Sequence, residues 1–215
     1  MPSTEGAAPD SGRRFVPERD TQREMARIAD ARGTAWSLCH DLLGAPDEAI
    51  ASRLREGEAA EELALVTAWL GEESGRFLPV QMALETYARR ARRRTLEEDL
   101  AELTEGFRLA ALRDLAWRPR LAEVAGQCET EARAWWAGDH ESAKALRVAE
   151  RDLVEEHLSP VVPEWAAEVD TSASPMIYRT VARLLVAHLS FETGRDFDRR
   201  VYGADSLLQW GRAGG

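Results

Sequence analysis

The apolar residues of this chain recur every three to four positions, from about residue 25 to residue 191. That spacing places apolar side chains on one face of an α-helix, whereas a half-buried strand would alternate apolar and polar residues. One long stripe covers residues 25–43, and others follow over residues 77–91, 121–135 and 177–191. No convincing alternating run lies between them. The pattern therefore predicts an all-α fold, a single compact domain of about nine or ten helices.

Residues that begin or end helices separate these stripes. Gly138 is a predicted helix stop, and Asp139 is a predicted N-cap for the next helix. Thr95 and Glu98 have the spacing of a capping box, in which each side chain bonds the other residue's backbone N–H. Further helix boundaries are predicted at Pro46-Asp47, at Trp117-Arg118-Pro119 and at Ser174-Pro175.

The length of 215 residues suits one domain with a substantial core. We predict a flexible tail over residues 1–20, the helical domain over residues 21–200, and a short helix and tail over residues 201–215. The tail contains Arg13-Arg14, but no apolar run follows that pair, so an export signal is not expected. No apolar run approaches the roughly 20 residues that cross a bilayer, which favours a cytoplasmic protein without membrane insertion.

The two cysteines, Cys39 and Cys128, are far apart and belong to no metal-binding or redox motif. Each falls on an apolar helical stripe, where a free cysteine behaves as a small hydrophobic residue. We therefore expect two buried free thiols, which fits a reducing compartment.

The formal net charge of −10 repels nucleic acid and favours cationic partners. The one strong basic cluster, residues 89–94, contains five arginines at a predicted helix end, and acidic residues follow it at once. Cations at a helix C-terminus interact favourably with the helix dipole. We interpret this cluster as a salt-bridged helix terminus and predict no nucleic-acid binding.

No motif for catalysis, for a metal or for a nucleotide is present, and paired carboxylates fall on polar helix faces. We predict neither an enzyme nor a cofactor. His157 continues a predicted apolar face through Leu146, Ala149 and Leu153, and His188 lies on the stripe over residues 177–191. On such faces the commoner role is a core histidine satisfied by a neighbour. Trp135 and Trp136 cannot share one core face, so Trp136 either packs under another element or belongs to an exposed recognition surface.

The segment from residue 153 to residue 191 reads LVEEHLSPVVPEWAAEVDTSASPMIYRTVARLLVAHLSF. It combines a helix ending on Glu156-His157-Leu158, a proline break, a short helix with Trp165, a polar loop and a helix with Tyr178. This succession resembles the second half of the TorD/DmsD-type chaperones of molybdenum-containing redox enzymes. The resemblance extends from about residue 122 to residue 192, and ARGTAWSLCHDLLGAPDEAIASRL looks like the family's opening helix pair. The middle segment, residues 96–120, is helical and arginine-rich and departs from the family's middle loop. The chain therefore looks like a divergent branch of the family, such as the one serving type II dimethyl-sulfoxide-reductase-family enzymes.

The resemblance implies a TorD-like fold and a cytoplasmic, system-specific chaperone. Such a protein binds the twin-arginine leader and the apo form of a molybdopterin oxidoreductase catalytic subunit, assists cofactor insertion and holds back export. His157 matches a position associated with leader binding. We expect its side chain to face inward, at the floor of an apolar groove with Glu156 at the rim. Trp165 and Tyr178 would line or support this peptide site, and Trp136 is the remaining candidate.

Two alternatives remain open at this stage. The first is a helical regulatory or adaptor protein that binds another protein without reference to a leader peptide. The second is a small helical enzyme, which is disfavoured because no group of titratable residues converges in the sequence. If the chaperone hypothesis is wrong, the candidate site residues are packed core. The resemblance also implies either a monomer or a domain-swapped dimer, with Trp117-Arg118-Pro119 as a plausible hinge.

Overall fold

The computed structural model describes residues 19–70, 75, 77–109, 115–171 and 175–193. Within these ranges the chain forms nine α-helices and one π-helical turn, and it contains no strand. The helices are α1 (Arg19–Leu42), α2 (Glu48–Glu56), α3 (Glu58–Leu70), α4 (Leu78–Ala91), α5 (Leu96–Leu109), α6 (Arg118–Ala137), α7 (His140–Leu153), α8 (Val162–Thr171) and α9 (Met176–Glu192), with the π-helical turn at Val154–Leu158. The predicted all-α class and single domain are confirmed.

The two longest helices, α1 and α6, form the centre of the fold and run antiparallel. Met25 near the start of α1 clusters with Trp135 near the end of α6. At the other end, Arg118 Nε donates to the carbonyl oxygen of His40 at 3.1 Å. Helices α3 and α9 also pack on α1, α7 packs on α6, α8 packs on α9, and α4 contacts α2, α3 and α9.

The predicted apolar stripes form the core. Buried members of these stripes are Trp36, Cys39, Leu43, Phe77, Val80, Leu84, Tyr87, Ala91, Leu121, Val124, Cys128, Trp135, Ile177, Val181, Leu184, His188 and Phe191. Both cysteines are free and buried, as predicted, and burial raises the pKa of each thiol.

Several helix ends are built as predicted. Asp47 and Asp139 each accept a hydrogen bond from the backbone N–H three residues later, at 2.8 and 3.1 Å. The backbone N–H of Thr95 donates to Glu98 Oε2 at 2.8 Å, and the Glu98 N–H donates to Thr95 Oγ1 at 3.2 Å. Gly138 ends α6 with φ at 75°, a left-handed conformation that glycine adopts without steric cost.

The predicted boundaries at Pro119 and Pro175 both coincide with the start of a helix. α6 begins at Arg118, directly after Trp117, and Pro119 lies in its first turn. The first turn tolerates proline because its N–H groups have no partner within the helix. Pro175 occupies the N-cap position of α9 and precedes the first turn, while Ser174 lies outside the described residues.

The tail boundaries remain predictions, because residues 1–18 and 194–215 lie outside the described ranges; α1 begins at Arg19. None of the described helices is both long enough and apolar enough to cross a membrane.

Candidate functional site

The candidate site depends first on which face of α7 is buried. The apolar pattern predicted an inward face through Leu146, Ala149, Leu153 and His157, and this prediction is wrong except for Leu153, which is partly buried against the core. The inward positions are Ala143, Arg147, Glu150 and Val154, so the face is rotated by about one residue, or about 100°. The inward face could not be recognised from the apolar pattern because two of its four side chains, Arg147 and Glu150, are charged.

The π-helical turn then carries His157 further from the core. The backbone N–H of Ser159 donates to the carbonyl oxygen of Val154 at 2.9 Å, a bond that spans five residues. A turn with an extra residue rotates less per residue than an α-helix, so Leu158 becomes the buried member of this turn. The prediction of an inward His157 is therefore wrong: its side chain is 45% exposed.

Glu156 lies on the surface, as predicted, and its side chain is 73% exposed. Its Oε2 is 3.9 Å from His157 Nε2. Both side chains belong to a stretch, residues 152–170, that contains six carboxylates and no lysine or arginine. All six are exposed: Asp152, Glu155, Glu156, Glu164, Glu168 and Asp170. We call this surface of the α7 end, the π-helical turn and α8 the acidic face.

Trp165 holds the acidic face onto the rest of the fold. It is almost fully buried on α8, and its ring lies edge-on to that of Trp117, with centroids 5.3 Å apart and planes at 69°. Edge-to-face pairs of this kind are favourable beyond the area they bury. Trp165 therefore supports the acidic face from below and does not form part of its exposed surface.

Tyr178 lies deeper and faces α5. Its hydroxyl donates to the carbonyl oxygen of Leu103 at 2.9 Å, and the residue is fully buried. A Cβ on Gly106 would lie 2.7 Å from Tyr178 Cε2 and 2.5 Å from Pro175 Cγ, so only glycine allows this close approach of α5 and α9. The structure gives Tyr178 a role in packing α9 against α5.

Trp136 lies elsewhere. It is 52% exposed near the C-terminal end of α6, and it hydrogen-bonds to the Asp30 carboxylate of α1. With a rise of about 1.5 Å per residue, Trp136 and Trp117 are separated by about 28 Å along α6. The structure thus brings Glu156, His157 and Trp165 into one region, and it separates Trp136 from them.

A buried ionic cluster is the main feature that the sequence-based reasoning missed. It joins α1, α6, α7 and α9 through Arg32, Glu131, Arg147, Glu150 and Glu192, all at most 2% exposed. Arg32 is the centre of this cluster. Its Nε donates to Glu192 Oε1 at 2.7 Å, its Nη1 to Glu131 Oε2 at 2.6 Å, and its Nη2 to Glu150 Oε2.

The remaining contacts close the cluster. Arg147 Nη1 donates to Glu192 Oε2 at 2.6 Å, and Trp135 Nε1 donates to Glu131 Oε1 at 2.9 Å. His188 packs against the ring of Trp36, with centroids 4.4 Å apart, and its Nε2 is 3.6 Å from Glu192 Oε1. His188 was predicted to be a core residue, and this is confirmed.

The protonation states of the titratable groups in this cluster depend on their burial and on the charges of Arg32 and Arg147. Burial raises the pKa of Glu150 to about 7, although Arg32 opposes the shift. Burial also disfavours the Glu192 carboxylate, but Arg32 and Arg147 overcome this effect and hold its pKa well below the usual range. Burial lowers the pKa of His188 to about 4, so the imidazole is neutral near pH 7. Protonation of Glu150 would balance the cluster, with two arginines against two carboxylates.

One sequence signal could have revealed this cluster. Arg32 interrupts the apolar stripe of α1, Glu131 lies between Cys128 and Trp135 in the stripe of α6, and Glu192 follows the last apolar residues of α9. Charged residues at inward positions of three helices indicate mutual pairing, because an unpaired buried charge is very costly.

Among the described residues, no group of three or more His, Cys, Asp or Glu side chains is arranged to hold a metal ion. No family model, curated protein or solved structure matches the chain.

Proposed function

We propose that this protein is a helical chaperone that binds a cationic leader segment on its acidic face. The resemblance described above points to a twin-arginine leader and to the apo form of a molybdopterin oxidoreductase catalytic subunit. In this proposal, binding assists insertion of the molybdenum cofactor and holds back export until the subunit is mature. Such a function requires a binding surface and no covalent chemistry.

The observation that supports this proposal best is the charge of the acidic face. Residues 152–170 contain six exposed carboxylates and no lysine or arginine. Arg183 of α9 reaches one of them, Asp170, at 2.7 Å. A guanidinium group can bond a carboxylate through two parallel hydrogen bonds, so paired arginines suit a surface with several carboxylates.

The magnitude of each contact also favours a surface with many carboxylates. One exposed ion pair contributes about 0–1 kcal/mol, which alone would not hold a peptide. Several carboxylates acting on two adjacent arginines can add their contributions, and the sum falls as salt screens the charges. We therefore expect leader binding that is clearly weaker at high ionic strength.

The scaffold beneath the acidic face is suited to hold it in place. Trp165 packs on Trp117 directly below α8, and Glu150, one turn before the π-helical turn, is bonded to Arg32 of α1. A surface held by packing and by buried hydrogen bonds loses little conformational entropy when a ligand binds. We infer that the leader binds to a preformed surface.

Calorimetry tests the proposal. The wild-type protein should bind the leader of a molybdopterin oxidoreductase subunit at 1:1, more weakly as salt is added. A leader in which glutamine replaces both arginines should bind at least about tenfold more weakly. The triple variant Glu155→Gln, Glu156→Gln, Glu164→Gln should lose about as much.

A second triple variant, Glu58→Gln, Glu61→Gln, Glu97→Gln, removes the same charge from exposed positions on α3 and α5 and should bind like the wild type. Equal losses in both variants would indicate only a net-charge effect. No heat with the leader at low salt would contradict the proposal. If the apo subunit bound equally well without its leader, the adaptor alternative would be the better function.

A further inference from the structure

A groove runs along α1, between α3 and α6, and is separate from the acidic face. Two adjoining cavities of about 190 and about 460 Å³ share Asp30, Thr34 and Glu62 as lining residues. Leu65 of α3 lines one of them and Glu129 of α6 lines the other. We call this feature the α1 groove.

The floor of the α1 groove consists of small side chains, since Ala31, Gly33, Thr34 and Ser37 all line it. Short side chains on one helix leave room for an extended segment from another protein. The α1 groove is also partly apolar: Leu65 is 65% exposed, which is unusual for a leucine on a helix that packs in the core.

In the part of the chain that the structure describes, some of the charged side chains that line the α1 groove have ion-pair partners, and others do not. Glu62 is bonded to Arg53 through both carboxylate oxygens, and Arg53 also donates to Asp41 at 2.8 Å. Asp30 and Glu129 differ, because within the described residues neither has an ion-pair partner. With Arg27 and Arg53 also lining the groove, three carboxylates face two arginines, and the balance is negative.

Glu129, which lines the same cavity, also acts on Asp30. Burial raises the pKa of Asp30, the hydrogen bond from Trp136 lowers it, and the neighbouring Glu129 charge raises it further. A carboxylate whose ionisation is disfavoured by burial and by a neighbouring negative charge gains from a cation placed beside both groups. The exposed ring of Trp136 beside Asp30 adds a surface on which a guanidinium group can stack.

We propose that the α1 groove is a second docking site, which binds one arginine of an extended peptide segment of a partner protein. The guanidinium group bonds to Asp30 and Glu129 and stacks on Trp136, and an apolar neighbour of that arginine packs on Leu65. Arginine fits this site better than lysine because it combines bidentate hydrogen bonding with a planar face.

This site extends the proposed function and does not depend on it. Trp136 lies about 28 Å along α6 from Trp117, which supports the acidic face. A partner that reached both sites would gain avidity, since the second contact becomes intramolecular once the first has formed. Failure of leader binding on the acidic face would leave the α1 groove and its test unaffected.

The experiment observes Trp136 directly by nuclear magnetic resonance. The indole N–H signal is assigned by its loss in Trp136→Phe, and the full-length protein is titrated with the blocked peptide Gly-Arg-Leu-Gly. We expect the signal to shift with saturation, and the matched peptide Gly-Gln-Leu-Gly should bind at least about fivefold more weakly.

Substitutions of carboxylates show which residues are needed for the shift of the Trp136 signal. Asp30→Asn with Glu129→Gln should abolish the shift with the arginine peptide, while the matched control Glu97→Gln with Glu105→Gln on α5 should retain it. Glu155→Gln with Glu156→Gln should also retain it, which separates the α1 groove from the acidic face.

An unchanged Trp136 signal, an equal response to the glutamine peptide, or a shift that persists in the Asp30/Glu129 variant would overturn the proposal. The comparison of the two peptides uses the wild-type protein, so it decides the matter even if the double variant folds poorly.

Discussion

The buried ionic cluster and the acidic face use the same kinds of side chain for opposite purposes. In the cluster, Arg32 and Arg147 bind the carboxylates of three other helix positions in the protein interior. On the acidic face, six exposed carboxylates lie in a stretch without lysine or arginine, and Arg183 of α9 bonds one of them, Asp170. Buried charges must be paired within the fold, whereas exposed charges can remain available for a partner.

The two regions are close in the chain, since Glu150 belongs to the cluster and the acidic face begins at Asp152. The rotation of α7 and the π-helical turn separate them: one directs Glu150 inward, and the other keeps Glu156 and His157 outward. The comparison predicts large stability effects for the cluster and small ones for the acidic face, with the reverse order for peptide binding.

The largest effect is expected for Arg32→Met. This change leaves Arg147 as the one arginine of the cluster against three carboxylates. It should lower the free energy of unfolding by about 3–5 kcal/mol, or prevent folding. Arg183→Met, which removes the exposed pair with Asp170, should cost less than about 1 kcal/mol. Urea unfolding of both variants makes the comparison. A small loss for Arg32→Met would mean that the cluster contributes little to stability.

The pH dependence of stability should reveal Glu150. Its pKa of about 7 in the folded state lies above the value of 4.5 expected when unfolded, so the folded state holds an extra proton between these values. Stability from this group is therefore present below about pH 4.5 and is lost as pH rises through 7. Glu150→Gln removes this loss.

The free energy of unfolding of Glu150→Gln, relative to the wild type, should increase by up to about 3 kcal/mol between pH 5 and pH 8. His188 acts in the opposite sense, because its pKa is lowered to about 4 and its stabilising effect is lost as pH falls below 6.5. Comparing the two proteins at each pH cancels that contribution. A constant difference between them would refute an elevated pKa for Glu150.

His188, which is buried, and His157, which is exposed, allow the same comparison with one residue type and a smaller expected effect. His188→Ala leaves a cavity beside Trp36 and should cost about 2–3 kcal/mol. His157→Ala, on the exposed π-helical turn, should change stability by no more than about 0.5 kcal/mol. Thermal unfolding at pH 7, where the buried imidazole is neutral, measures both. Similar losses for both would mean that the π-helical turn is held by His157 in a way that its exposure does not show.

The smallest stability effect is expected on the acidic face. Neutralising Glu155, Glu156 and Glu164 with glutamine should leave the free energy of unfolding within about 0.5 kcal/mol, or raise it slightly by relieving like-charge repulsion. Circular dichroism and urea unfolding check this expectation. A loss of several kcal/mol would place these carboxylates in the structural framework and would remove the basis for peptide binding there.

Much of the fold could be predicted because its determinants are local. The apolar stripes that contain Trp36, Leu84, Val124 and Leu184 are buried, as the helical period predicts. The Thr95–Glu98 capping box forms because its partners are three residues apart and need no other part of the fold. The boundaries beside Pro119 and Pro175 could be predicted for the same reason, since proline suits both the residue before a helix and its first turn.

The candidate site could be predicted only in part. Glu156 and Trp165 do lie in one region, but the inward His157 was derived from an apolar stripe that α7 does not use. Arg147 and Glu150 read as solvent-facing in the sequence because charged residues usually are. Their true orientation depends on Arg32, which lies more than 100 positions from Glu150 in the chain.

Local sequence is enough to specify the helical class, the apolar faces of most helices, their capped ends and the acidic stretch without lysine or arginine. These properties depend on residues within a few positions of one another. Contacts between distant helices set which charges are buried, which way α7 faces, and how Asp30 and Glu129 meet in the α1 groove beside Trp136. Those outcomes depend on pairing between distant helices, because a buried charge becomes tolerable only when its partner arrives from another part of the chain.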